Sequence, residues 1–63
     1  MTYRIPDSWI CIEYKDGRME TVGNAEGLTV EEARQYKKQY GRKVVAVSLR
    51  DSNQKLLKRV VFR

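Results

Sequence analysis

Side chains able to do covalent or acid–base chemistry are few in this chain, and their spacing equips none of them for it. Cys11 is the single thiol in 63 residues, and there is no histidine. It stands between Ile10 and Ile12 with no neighbouring base or cation to lower its pKa, a setting that suits a small buried hydrophobe rather than a nucleophile. One thiol without histidine also provides neither a zinc ligand set nor an internal disulfide. Glu31 and Glu32 are adjacent carboxylates, but neighbours on a helix point in different directions. Placed at a helix start they disfavour a phosphate there. The four glycines, Gly17, Gly23, Gly27 and Gly41, fall in turns or at a cap and build no phosphate-cradling loop. No catalytic residue, metal, cofactor or small-molecule substrate is expected, and the chain reads as a non-enzyme.

What the side chains do offer is charge, and it is divided along the chain. Met1 to Glu32 holds three basic and seven acidic residues, a net −4, whereas Ala33 to Arg63 holds ten basic residues against Asp51 alone, a net +9; together they make the +5 of the whole. A basic half of that density is the usual footprint for a polyanion or an acidic protein surface. The expected contacts are Arg34, Lys38, Arg42 and Lys43 around a helix C-terminus, and Lys55, Arg59 and Arg63 on one face of the last strand. A plainer account competes with this one. Cations stabilise a helix C-terminus by themselves, lysines guard strand edges, and acids of the first half can pair with the second half across a sheet.

Aromatic residues add little to a nucleic-acid reading. Trp9 and Tyr14 are five apart, and an odd separation puts them on opposite faces of a strand, so they form no common stacking platform. Trp9, with Cys11 on the same strand, is instead expected at a protein interface, where tryptophan is enriched.

The elements that would position these residues are legible from periodicity. In GLTVEEARQYKKQYG, Thr29 can cap a helix with Glu32 returning the bond, Leu28 and Ala33 occupy the staple positions, and Gly41 ends the helix. Val30, Ala33, Tyr36 or Lys37, and Tyr40 recur at helical spacing and predict one narrow apolar face. Either side the period is two. SWICIEY and Met19 to Val22 flank Lys15-Asp16-Gly17-Arg18 as a hairpin; KVVAVSLR and KLLKRVVF flank Asp51-Ser52-Asn53. The prediction is an α+β domain of order ββαββ: a small antiparallel four-stranded sheet with one helix packed on one face. It spans residues 1–63 as a single domain, with 1–7 as a flexible N-terminal segment.

Along KVVAVSLR the alternation places Val45, Val47 and Leu49 on one face and Val44, Ala46 and Ser48 on the other; along KLLKRVVF Leu56, Val60 and Phe62 oppose Leu57 and Val61. Both sheet faces are thus partly apolar, and one helix covers one of them. A homodimer or a docked protein is expected on the other. At this size burial is close to the minimum for independent folding, so a partner's contribution would matter. Without a signal-like apolar run or a stretch of about 20 apolar residues, and with one unpaired thiol, the expectation is a soluble, cytoplasmic protein that does not enter membranes. Two functions remain on the sequence alone. One is a nucleic-acid-binding or nucleic-acid-associated protein using the basic half. The other is a protein–protein interaction module, a small inhibitor or adaptor, that engages an acidic surface or pairs through its uncovered sheet face.

Overall fold

The computed structural model describes residues 7–62. The expected flexible segment, apart from Asp7, and the expected contact Arg63 lie outside the described residues. Within them the order is β1 (Ser8–Tyr14), β2 (Met19–Asn24), α1 (Val30–Tyr40), β3 (Val44–Asp51) and β4 (Leu56–Val61). The strands form one open antiparallel sheet in the order β2-β1-β3-β4, and the predicted ββαββ α+β architecture is the one observed. No helix among the described residues is long and apolar enough to cross a membrane.

Local chemistry accounts for each junction. The Glu32 N–H donates to Thr29 Oγ1 at 3.1 Å and the Thr29 N–H to Glu32 Oε1 at 3.2 Å, a complete capping box. Leu28 and Ala33, at the staple positions, are both buried. At the other end the Gly41 N–H reaches the Lys37 carbonyl at 2.9 Å. Gly41 has φ 102° and ψ −172°, outside the left-handed helical well that a helix-ending glycine usually fills, in a region open essentially to glycine alone. In the first hairpin Gly17, φ 91°, follows a turn closed by Gly17 N–H to Tyr14 C=O and Tyr14 N–H to Arg18 C=O. The loop therefore has three residues with a glycine at positive φ, not a two-residue Asp-Gly turn. Asp51 organises the β3–β4 turn, its Oδ1 accepting the Asn53 and Lys55 N–H groups, both at 2.9 Å.

The core lies between the helix and one sheet face. Ile10 and Ile12 of β1, Val44, Val47 and Leu49 of β3, and Leu28 and Ala33 from the helical side form one buried cluster, with Tyr14, Val22, Tyr36, Tyr40, Val60 and Phe62 packed around it. Strict alternation misplaces Val44. Tyr14 pairs with Val44 while Glu13 pairs with Ala46, so Val45 is an extra residue in β3; the bulge turns Val44 onto the helix side, where it is 1% exposed. A second bulge in β4, where Lys58 pairs with Leu49 but Leu56 with Arg50, moves Leu56 into register with a residue of the open face instead of with Val60 and Phe62. Val30, expected on the apolar helix stripe, is 46% exposed: as the first helical residue it precedes the turn that meets the sheet.

The open face is less bare than both-faced apolarity implies. Trp9, Cys11 and Glu13 alternate with the core residues of β1, and Cys11, Ala46 and Ser48 are all buried although they face away from the helix. Glu13 on β1 and Arg59 on β4 flank β3 and meet above it, with Arg59 Nε and Nη2 donating to the two carboxylate oxygens at 3.0 and 2.9 Å. The small side chains of Ala46 and Ser48 leave room for that bridge, and the bridge covers them. Ser48 Oγ in turn donates to the Cys11 carbonyl at 3.5 Å. Part of the cover expected from another molecule is supplied from within the chain.

Candidate polyanion-binding surface

The helix end gathers cations by simple geometry. Arg34, Lys37 and Lys38 are three and four residues apart, so they share one side of α1, and Arg42 follows just beyond the cap. With Gly41 these four line an open depression of about 320 Å³, and among the described residues no carboxylate lines it. Arg34, Lys38 and Arg42 are exposed. Lys37 is half-buried: its Nζ donates to the Val44 carbonyl at 3.1 Å and stands 5.4 Å from the centre of the Phe62 ring, which pins the helix end to the sheet. The helix macrodipole places about half a negative charge here, too little to cancel four cations.

The other expected contacts fall elsewhere. Lys43 is exposed, but its carbonyl accepts the Lys15 N–H at 2.7 Å, which sets it beside the β1–β2 turn rather than in the depression. Lys55 and Lys58 are exposed along β4, with Lys58 in register with the core residue Leu49 and so on the helix side. Arg59 does not join the helix-end group, because it projects from the opposite sheet face, where its Nε and Nη2 donate to Glu13. Lys37, a neighbour of the helix-end cations in sequence but not among the expected contacts, completes the lining of the depression. Its spacing of three from Arg34 was the available signal.

Three acids of the first half, Asp16, Glu20 and Glu32, find partners close to home. Asp16 bonds Arg18, whose backbone N–H lowers its pKa first of all and whose side chain adds to the effect. Glu20 accepts the Tyr14 hydroxyl at 2.9 Å, which raises the tyrosine's pKa, and Glu32 is spent on its cap. Among the ion pairs of the described residues, only Glu13–Arg59 joins the acidic half to the basic one.

That pair has a pH signature. The hydrogen bond from Arg59 holds the Glu13 carboxyl below its ordinary 4.5, with the Arg59 charge, Ser48 and Arg50 assisting against the opposing effect of burial. A depressed folded-state value means that its stabilisation is complete above the unfolded value and is lost as pH falls through the lower, folded one. Urea midpoints measured between about pH 5 and about pH 2 should therefore show the native chain losing its advantage over Glu13→Gln on acidification. A gap that is the same at both ends of this range would contradict the pairing.

Trp9 and Cys11 occupy the open face, on the side of the sheet away from the helix-end cations. Trp9 is cross-strand partner to Arg50, and the two line a second depression of about 230 Å³ with Thr21 and Gln54. Cys11 Sγ lies 3.8 Å from Thr21 Oγ1 at its floor, 6% exposed. Among the described residues no group of three or more Cys, Asp or Glu side chains is placed to hold a metal ion.

Fold and surface together define a class only as far as a basic ββαββ domain with one helix-covered and one open sheet face. No protein-family model, curated protein or solved structure matches the chain.

Proposed function

We propose that this is a small binding protein without catalytic activity that takes up nucleic-acid phosphates at the helix-end depression. One observation carries the reading: Arg34, Lys37, Lys38 and Arg42 line a single open surface with no carboxylate among its described lining residues, while Glu13, Asp16, Glu20 and Glu32 have their partners elsewhere. Contacts of this kind position a protein on a backbone without reading bases, so binding is to be independent of sequence. A lone thiol kept reduced suits the cytoplasm, where such a ligand is available.

Titration of random-sequence duplex at several salt concentrations tests the proposal. With four contacts the logarithm of the affinity should fall with the logarithm of salt at a slope of roughly −3.6, about a 150-fold loss between 50 and 200 mM. No binding at the low-salt end, or an affinity indifferent to salt, would remove the nucleic-acid reading. The second reading, a protein-interaction module, is favoured by a different observation: the half-exposed Leu56, Leu57 and Val61 on a strand at the sheet edge.

A further inference from the structure

Among the described residues β4 is an edge strand with one side unpaired. Phe62 donates its N–H to the Val45 carbonyl at 2.8 Å, and from Lys58 to Val61 the register with β3 runs without interruption. Backbone groups of successive residues in an antiparallel strand point to alternate sides. Lys58, Val60 and Phe62 thus spend theirs on β3, whereas Arg59 and Val61 direct their N–H and C=O groups outward. Beside this open ladder lie Leu57, 50% exposed, and Val61, 53% exposed. An edge that is both unpaired and apolar is a template for another strand.

Charge decides what kind of strand. Leu56–Val61 contains no acid, and the exposed Lys55 and Lys58 have no carboxylate among the ion pairs of the described residues, the Arg59 charge being met by Glu13. Pairing β4 with the same strand of a second copy would bring two sets of these lysines onto one seam, and like charges across a strand pair are destabilising. The β2 edge of a second copy offers Glu20, which is already engaged by Tyr14. We infer that the β4 edge takes up an extended acidic segment of another protein as a fifth strand, its carboxylates on the helix side toward Lys58 and its apolar residues on the open side against Val61. This does not rest on the nucleic-acid reading, which concerns the helix-end cations.

The probe is a fluorescent peptide of about nine alternating Glu and Val residues, titrated against the full chain beside its Lys/Val counterpart. The Glu/Val peptide should bind about tenfold more tightly, and hydrogen exchange of the Arg59 and Val61 amides should slow on binding while that of Val60 and Phe62 is unchanged. Val61→Pro removes an outward N–H at an edge position where proline is tolerated, and should abolish binding with the circular dichroism spectrum retained. Lys58→Glu serves if that variant does not fold, and should turn the preference toward the Lys/Val peptide. Equal binding of the two peptides, or exchange at Arg59 and Val61 that the peptide leaves unaltered, overturns the inference. So does self-association of the chain in sedimentation with those two amides already protected, because the edge would then belong to a second copy.

Discussion

Replacing Ile12 by alanine is expected to lower the melting temperature by about 8–40 °C, the largest stability effect available in this molecule. Ile12 is fully buried, sits on the central strand β1 opposite Val47, and belongs to the one cluster that joins sheet to helix. Truncating a buried isoleucine costs about 2–5 kcal/mol. A chain of this length has only about 3–9 kcal/mol in all, so the upper end of that cost exceeds the lower end of this stability. Ile12→Val, which removes one methylene, should cost about 0.5–1.5 kcal/mol, and Leu57→Ala, at a half-exposed position, should stay within about 0.5 kcal/mol. Thermal and urea denaturation followed by circular dichroism reads all three. An Ile12→Ala variant that melts with the parent would mean that the helix does not rest on this sheet face.

The second large effect is on ligand rather than on fold. Arg34→Gln combined with Lys38→Gln should reduce affinity for random duplex at 50 mM salt about 100-fold and flatten the salt slope by about 2. Glutamine keeps the helix propensity of the residues it replaces, and both positions are exposed, so the fold should be retained. Arg59→Gln supplies the contrast. It removes one positive charge where the pair removes two, and that charge is held by Glu13 on the far sheet face; the salt slope should be unchanged while the urea midpoint falls. Equal flattening per charge removed by all of these substitutions would show that net charge alone governs binding and that the depression has no special part in it.

The helix-end surface was legible in part. Arg34, Lys38 and Arg42 can be grouped from the sequence because helical spacing converts positions four apart into neighbours, and the capping box and Gly41 say where the helix runs. Lys37 was obscured because the same spacing serves packing as well as binding. Arg59 and Lys55 were grouped with the others by strand alternation, which says which residues share a face but not which way that face turns or what stands across from it.

Local chemistry within the chain was enough to determine the element order ββαββ, the box at Thr29 and Glu32, the staple positions of Leu28 and Ala33, and the turns at Gly17 and Asp51, because each depends on residues a few positions apart. Tertiary structure alone decided three things: the bulge that turns Val44 inward, the register that leaves Arg59 and Val61 with outward backbone groups, and the pairing of Glu13 with Arg59 across 46 residues of sequence. All three are settled by how one strand lies against another. A bulge shifts every later side chain and a long-range ion pair needs a face in common, so neither is written in any short stretch of the chain.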